Sequence, residues 1–511
     1  MNAGLEASVR GLAGTALGLA VLLAGGCIEV GPDYTPPTRP MEAGYAEAGA
    51  KGTSSAADRQ AVAWWNELHD PLLTNLIEAG VVANPTMRVA ELRIQESRIL
   101  LGEAYASLGP VLNASGSYTH SLPSRTVAGA STNGIHPRDL YQAGFDATWE
   151  IDIFGGVQRG IESAQAQAQG IDLDAANVRV SLAAEIARNY VLLRELQEQT
   201  QITQRNLKSQ LATEDLTQSR IKAGLATDLD LTRISALAAT TRAQLPVLTT
   251  QTKAAVHRIE VLLGRDPGSM DPELLAAGHV PAPPATIATG VPSELLRRRP
   301  DIREAERNIA DLSARIGIAT AQLYPQFSIS GNLGLEARSG SLLSHSTLSQ
   351  YWSFGPGISW PIFDWGRIRA NIADAGVQEQ EALVQYEQTV QGALEEVEDA
   401  LVAYDRDQAR RVDLQKAVSA DERAVELSTE LYSKGLTSFL DVLTAQQAQY
   451  EAESSLVSNE ADITTDAVAL YKAVGGGWQP APMPEPTPGV AGAKVGEDAG
   501  APKMFAPPAK P

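Results

Sequence analysis

The chain is poor in several features that define common functional classes. It has one cysteine, Cys27, among 511 residues, which excludes an internal disulfide and leaves no second thiol for a metal site. Lys and Arg number 41 against 61 Asp and Glu, and the net charge of −20 argues against nucleic acid, because phosphate binding requires clustered cations. No run of 18 or more apolar residues follows residue 26, so no transmembrane helix is expected in the mature chain.

Signatures of catalysis are missing as well. The six histidines have no metal-ligand spacing, and neither a nucleophile elbow nor a phosphate loop is present. Asp146, Glu150 and Asp152 could be a catalytic carboxylate set, but their even spacing is typical of a hydrated acidic strand face. The basic cluster at 297–303 is either a binding patch or, as we favour, the start of a helix in which Asp and Arg pair locally. We therefore expect no enzymatic activity, metal or cofactor.

The first residues are expected to direct the chain to the cell envelope. Residues 1–26 have the composition of a signal peptide, with Arg10 before a stretch rich in Ala, Gly and Leu. Cys27 follows Leu23-Ala24-Gly25-Gly26, which resembles the cleavage site of bacterial lipoproteins, so we expect Cys27 to be acylated. The alternative is a free or buried thiol. Residues 27–63 would then be a lipidated N-terminal arm.

The sequence contains one pattern twice. Residues 149–155 (WEIDIFG) return as 360–366 (WPIFDWG), and Gly224-Leu225 returns as Gly435-Leu436, both at an offset of 211 (360 − 149 and 435 − 224). Asn84-Pro85 returns as Arg299-Pro300 at an offset of 215 (299 − 84). The predicted units are repeat one (64–263), a Pro- and Gly-rich linker (264–291), repeat two (292–474) and a disordered Pro- and Ala-rich tail (475–511).

Each repeat contains two segments of alternating polarity. Over 141–153 the apolar residues occupy every odd position, and the same alternation predicts strands at 111–120, 326–336 and 351–363. Alternation places one face of a strand in an apolar medium and the other in water. Each segment has about ten residues or more, the length that a tilted strand needs to cross a bilayer. A soluble sandwich with one wet face is the alternative.

A very long helix is predicted after each strand pair. The helical pattern runs unbroken from Gly156 to about Lys222 and from Gly366 to about Lys434, or about 100 Å at 1.5 Å per residue. A turn at Gly224 or Gly435 precedes a returning helix, over 227–263 and 438–474. The apolar seam has the spacing of a coiled coil, as in Val390, Leu394, Val397, Leu401 and Tyr404.

Several segments in both repeats carry a family resemblance. They are Cys27 with Val30-Gly31-Pro32-Asp33-Tyr34; Trp64-Trp65 with Asp70-Pro71-Leu72; residues 292–303; Ile316-Gly317-Ile318-Ala319 with Tyr324-Pro325; and residues 361–369. They resemble the outer-membrane factor (TolC-like) channels of tripartite efflux and type I secretion systems, in particular the NodT-like lipoprotein branch. The resemblance extends from Cys27 to about Val474.

The resemblance implies an α+β fold in which a homotrimer forms a barrel in the outer membrane. Four strands per protomer would give about twelve, and the long helices would continue the barrel as an α-helical tunnel through the periplasm. The partners would be outer-membrane lipid, a periplasmic adaptor (membrane fusion) protein and an inner-membrane pump. Lipid would contact Phe145, Ala147, Ile151, Phe327, Ile329 and Ile358. The lumen would be lined by Asp146, Thr148, Glu150 and Ser330.

The resemblance also implies two sites at the helical tips. Adaptor docking is expected at Gly224, Leu225, Gly435 and Leu436, although these glycines could be helix caps alone. A periplasmic gate is expected at Asp230, Tyr432 and Asp441, with a latch formed by a hydrogen bond between Tyr432 and Asp230. Thr437 and Thr444 replace charged residues of the family pattern, and solvated tip residues without a gating role are the alternative.

Two functional hypotheses follow. The first is a passive exit duct driven by an inner-membrane pump, for either efflux or type I secretion. The second is a lipid-tethered periplasmic coiled-coil scaffold that conducts nothing. The alternating strands of bilayer length, present twice, favour the duct.

Overall fold

The computed structural model describes residues 29–47, 49, 53–54, 63–122, 137–338 and 349–478. The predicted signal peptide, Cys27 and residues 479–511 of the predicted tail lie outside this part. The helices are α1 (Pro71–Ala83), α2 (Pro85–Ala106), α3 (Gly156–Lys222), α4 (Asp228–Leu262), α5 (Asp271–Leu274), α6 (Pro292–Arg298), α7 (Pro300–Ala321), α8 (Arg367–Ser433) and α9 (Phe439–Ala473), with a 3-10 helix at Trp64–Leu68. The strands are β1 (Thr53–Ser54), β2 (Val111–Ser121), β3 (Arg138–Ile151), β4 (Ile287–Ala288), β5 (Gln326–Ala337) and β6 (Gln350–Ser359).

Three pairs of corresponding helices in the two halves have equal lengths. Helices α3 and α8 have 67 residues each, α4 and α9 have 35, and α2 and α7 have 22. Helices α1 and α2 start with proline at the first turn, where its missing N–H costs no hydrogen bond. The preceding Asp70 and Asn84 cap them by accepting from backbone amides of the first turn.

Four strands form one antiparallel sheet in the order β2-β3-β5-β6. Both hairpins have the same register. Val111 pairs with Thr148 in the first hairpin, and the residues that correspond to them at the repeat offsets of 215 and 211, Gln326 and Ser359, pair in the second. The predicted strand ends need correction. Strand β3 begins at Arg138 instead of 141, and β6 ends at Ser359, so 360–363 are not strand. Pro361 has no N–H to donate to a ladder.

The main core lies where α1, α3, α4, α8 and α9 meet. Trp64 is fully buried there and stacks on Tyr471, with ring centroids 5.4 Å apart. Trp478 is also buried and donates a hydrogen bond to the carbonyl of Arg298. The predicted disordered tail therefore begins too early, because residues 475–478 are packed against both repeats, with Gly477 near Trp64 and Trp478 in a cluster with Leu173 and Val180. Among the described helices, none is both long and apolar enough to span a membrane.

Candidate functional site

The sheet has one polar and one apolar face. Strands β3 and β5 pair Asp146 with Asn332, Thr148 with Ser330 and Glu150 with Ser328, so the four residues predicted to line a lumen share one face. On that face, Asn113 donates to Asp146 (3.1 Å). Side chains of neighbouring strands are linked there across the sheet by further hydrogen bonds: Ser117 to Gln142, Gln142 to Glu336, and Ser353 to Asn332.

The opposite face carries the residues predicted to contact lipid. Phe145 pairs with Leu333, and Phe327 pairs with both Ile151 and Ile358, so these side chains form one apolar surface. Phe354 and Ile358 are 72% and 68% exposed. Exposing a contiguous apolar face of this size to water is unfavourable, because each Å² of exposed apolar surface costs about 25 cal/mol of free energy. It suits a surface that another apolar medium covers.

Capped junctions connect the sheet to the long helices. Gly155 and Gly366 precede α3 and α8 with φ of 77° and 84°, which glycine adopts at no steric cost. Asp152 caps α3 by accepting from the amide of Gln158 (2.8 Å). Asp364 accepts from the amides of Ile368 (2.9 Å) and Gly366 (3.0 Å), and these bonds lower the pKa of its carboxyl group. Strands β3 and β6 therefore lead into α3 and α8 through short capped turns.

The two helical tips are built alike. Gly224 and Gly435 have φ of 70° and 75°, and the next amide in each case donates back into the last helical turn, as in a Schellman motif. The carboxylate of Asp230 then accepts from the amide and hydroxyl of Thr227 (3.1 and 2.7 Å). Asp441 accepts from the amide and hydroxyl of Ser438 in the same way (3.0 and 2.7 Å).

The Asp441 carboxylate has an additional partner. Thr437 donates to it at 2.5 Å, and the hydrogen bonds from Thr437 and Ser438 lower the pKa of this exposed group. Asp441 is therefore charged at neutral pH. Thr437, which departs from the family pattern, supports the turn in this chain.

Apolar side chains surround both tips. Ile234, Tyr432, Phe439 and Val442 form a small buried cluster, here called the tip cluster, that joins the two hairpins. Leu225 and Leu436 project from the turns and are 64% and 71% exposed. Two further exposed leucines, Leu229 and Leu440, are related by the same offset of 211 (440 − 229), a signal that could have identified them from the sequence.

The predicted hydrogen bond between Tyr432 and Asp230 is absent. The Tyr432 hydroxyl is buried without a partner in the described part of the chain, and the Asp230 carboxylate is engaged by Thr227. Arg220 contacts Tyr432 instead. Its guanidinium lies 4.6 Å from the centroid of the Tyr432 ring, and it donates to the carbonyl of Ser433 (3.0 Å). Sequence analysis missed Arg220 because its counterpart in repeat two is Leu431.

The N-terminal arm is bound beside the sheet. The amide of Val30 donates to the carbonyl of Phe154, and the buried Arg159 donates to the carbonyl of Val30 and pairs with Asp33 (2.7 Å). Gly31 lies so close to Gly317 that a Cβ would come within 2.5 Å of its Cα. Residue 29 is thus fixed at the junction of β3 and α3.

The basic cluster at 297–303, which was considered as a binding patch, forms ion pairs within the chain. Arg299 pairs with Asp301 (2.7 Å), as the expected local pairing of Arg with Asp requires, and also with the distant Glu396 (2.6 Å). Arg298 pairs with Glu294. Within the described ranges, no group of three or more His, Cys, Asp or Glu residues is arranged to hold a metal ion.

A two-faced sheet of bilayer length, continued by long antiparallel helices, is the architecture of an outer-membrane channel subunit. The family model described as "Outer membrane efflux protein" matches residues 76–265 and 291–476, and the chain belongs to this family. Its location is accordingly the outer membrane.

Similar proteins cover nearly the whole chain. Nodulation protein T of Rhizobium leguminosarum bv. trifolii is 34% identical over 469 residues, 90% of this chain and 96% of that protein. The solvent efflux pump outer membrane protein SrpC of Pseudomonas putida is 30% identical over 478 residues, 90% and 97% of the two chains. The solved structure of the outer-membrane channel OprN is 35% identical, with a TM-score of 0.83, over 88% of this chain and all of that one.

Proposed function

We propose that the chain is the outer-membrane exit duct of a tripartite efflux system, passively conducting small molecules delivered by an inner-membrane pump through a periplasmic adaptor. The observation that carries this proposal is the continuity of the two-faced sheet with 67-residue helices. The name of the Pseudomonas putida relative, a solvent efflux pump protein, supports small molecules as cargo. The duct performs no chemical step.

The duct is assembled as a homotrimer. Strands β2 and β6 lie at the two edges of the described sheet, and unpaired edges are not tolerated in lipid. Three copies would close a barrel of about twelve strands, with Asp146, Thr148, Glu150 and Ser330 in its lumen. The two halves of each chain are repeats that give the ring a pseudo-symmetry.

The remaining site residues have proposed roles in anchoring, docking and gating. Acylation of Cys27 would hold the arm in lipid next to the junction where residue 29 is bound. Gly224, Leu225, Gly435 and Leu436 would dock the adaptor. Asp230, Tyr432 and Asp441 would narrow the periplasmic end. Mass spectrometry of the mature N-terminus tests the first role, and an unmodified N-terminus elsewhere would contradict it.

Purified protein in planar bilayers tests the duct directly. Heat-resistant trimers from the outer-membrane fraction should conduct ions, and deleting the gene should sensitise cells to small toxic molecules. Trimers that never conduct would favour the periplasmic scaffold. If the trimers conduct ions, but deleting the gene stops the export of a protein and leaves drug sensitivity unchanged, type I secretion would be favoured.

A further inference from the structure

Two rows of polar side chains cross the polar face of the sheet and are linked by hydrogen bonds between neighbouring strands. The first row consists of Asn113, Asp146, Asn332 and Ser353, and the second of Ser117, Gln142 and Glu336. The strand pairing places one further row between them, which consists of Ser115, Gly144, Gly334 and Tyr351. The two central positions of this middle row are therefore glycines without side chains.

The ring of Tyr351 lies flat over these two glycines. A Cβ on Gly334 would come within 2.8 Å of Cε1 and Cζ of the Tyr351 ring, and a Cβ on Gly144 would lie 3.2 Å from the Tyr351 hydroxyl oxygen. The ring therefore crosses β5, and its hydroxyl group reaches β3. Side chains of strands ordinarily stand roughly perpendicular to the sheet, so the flat position depends on the room that the two glycines leave.

Tyr351 lies at the end of the sheet that is farthest from the long helices. It is the second residue of β6, and the other end of this strand leads towards α8. In the proposed duct, this end of the sheet opens to the outside and the polar face lines the lumen. Three copies of the chain would place three such rings at the same height of the wall.

We propose that Gly144 and Gly334 set the width of the outer mouth of the duct by holding the Tyr351 ring against the wall. A ring that stood upright would project into the lumen from each copy and obstruct bulky cargo. This inference rests on the proposed duct and adds the residues that determine which sizes of cargo leave it.

Packing favours the flat position of the ring. A strand glycine has no side chain to pack against its neighbours, and an aromatic ring laid across it compensates for that loss. In agreement, Gly334 is buried, although it lies on a face that is otherwise polar and largely accessible.

The arrangement belongs to repeat two alone. The counterparts of Tyr351 and Gly334 in repeat one are Leu140 and Thr119 (351 − 211 and 334 − 215), which also pair with each other. Gly355 corresponds to Gly144 (144 + 211), and no atom of the described residues lies within 4 Å of a Cβ built on it. Gly355 therefore provides a matched control on the same face of β6.

The drug resistance of cells with the pump present tests the width of the mouth. Gly334→Ala places a methyl group where the ring lies, so the ring has to stand up. Resistance to bulky drugs should be lost, whereas resistance to small ones should remain. Gly355→Ala makes the same change without a ring beside it and should keep both. Equal resistance to bulky drugs in the two variants, with trimers present at equal amounts on gels, would overturn the proposal.

A double variant separates the effect of the ring from that of the backbone. A Cβ on Gly334 would also lie 2.7 Å from the carbonyl oxygen of Ala143, so Gly334→Ala could act by distorting the sheet. Gly334→Ala combined with Tyr351→Ala should regain resistance to bulky drugs, because no ring is left to stand up. If the double variant remains as sensitive as Gly334→Ala, the ring does not obstruct the mouth and the proposal fails.

A chemical probe tests position 351 without any change at the glycines, and it decides the matter if Gly334→Ala does not assemble. Tyr351→Cys, treated on intact cells with fluorescein maleimide, should lose resistance to bulky drugs when the label is attached. Trp352→Cys carries the same label on the apolar face and should keep it. Labelled Tyr351→Cys cells that stay resistant would overturn the proposal, whereas an unmodified chain that confers no resistance would contradict the proposed duct.

Discussion

Single residues in the two halves perform the same task with different chemistry. Asn84 precedes α2 and donates to the carbonyl of Leu262 at the end of α4 (2.7 Å). Arg299 precedes α7 and donates to the carbonyl of Ala473 at the end of α9 (3.0 Å). Each residue therefore ties the start of a short helix to the end of a returning one. Arg299 is also the centre of an ion-pair group.

Arg299→Ala should destabilise repeat two. The change removes two carboxylate partners and one carbonyl bond from a residue that is 7% exposed, and hydrogen bonds to charged groups contribute about 1.5–3 kcal/mol. The denaturation midpoint of the purified protein should fall accordingly. Arg297→Ala, an exposed neighbour, is the control. Equal midpoints for the two variants would show that the Arg299 bonds add nothing.

Residue-level prediction from the sequence succeeded where partners are local. The pairing of Arg299 with Asp301 follows from their separation of two positions. The predicted hydrogen bond between Tyr432 and Asp230 was wrong, because an alignment identifies the position of a residue in the chain but not the direction of its side chain. Thr227 and Asp230 have the three-residue spacing of a capping box. Thr227 is therefore the closer partner, and the Asp230 carboxylate accepts its hydrogen bonds.

Among the elements, strands and long helices are predictable because their periodicity is strong. Alternation over 141–153 identifies the two faces of β3, and the uninterrupted pattern after Gly156 identifies α3. Strand ends are less predictable, since the alternation of Trp360 and Ile362 continues beyond the last ladder bond of β6. The order of strands in the sheet and the docking of the arm depend on distant contacts that no local pattern reports.

The apolar face of the sheet should resist charge far more than the polar face. Phe145→Arg places a cation in the middle of the lipid-facing surface, which costs about 2–4 kcal/mol in a transmembrane barrel. Thr148→Arg lies three residues away on the polar face and should cost much less. The midpoint of urea unfolding in lipid vesicles measures both. If the two variants lose equal stability, the assignment of faces is wrong.

The turn between α8 and α9 should tolerate strain but not bulk. Gly435→Ala and Gly435→Trp both force a side chain into the left-handed region at a cost of about 1–2 kcal/mol, but only Trp adds a large group to the exposed tip. We expect both variants to form trimers. Efflux, measured by drug resistance with the pump present, should persist for Ala and be lost for Trp. Resistance retained by the Trp variant would argue against docking at this tip.

At the scale of the whole molecule, a wide duct must be narrowed at rest, or the periplasm would leak. The described chain joins its two hairpins near the tips through the tip cluster and through Arg220, which spans from α3 to Tyr432 and Ser433 at the end of α8. Opening by separation of the hairpins would have to break these contacts. The capping hydrogen bonds at Asp230 and Asp441 would keep each turn intact while the hairpins move.

Arg220→Gln should therefore favour the open duct. The variant loses a cation–π contact, which contributes about 0.5–2 kcal/mol, and a charged hydrogen bond across the hairpins. A loss of about 1.4 kcal/mol per copy shifts an opening equilibrium tenfold, so the open probability in planar bilayers and the uptake of large antibiotics should rise.

Lys222→Gln removes a nearby exposed charge and should change neither the open probability nor the uptake. Tyr432→Phe keeps the ring under Arg220 and removes only a hydroxyl that has no partner in the described chain, so it should also conduct as the unmodified protein does. An Arg220→Gln channel that stays as closed as the Lys222→Gln channel would mean that the constriction lies elsewhere along the helices.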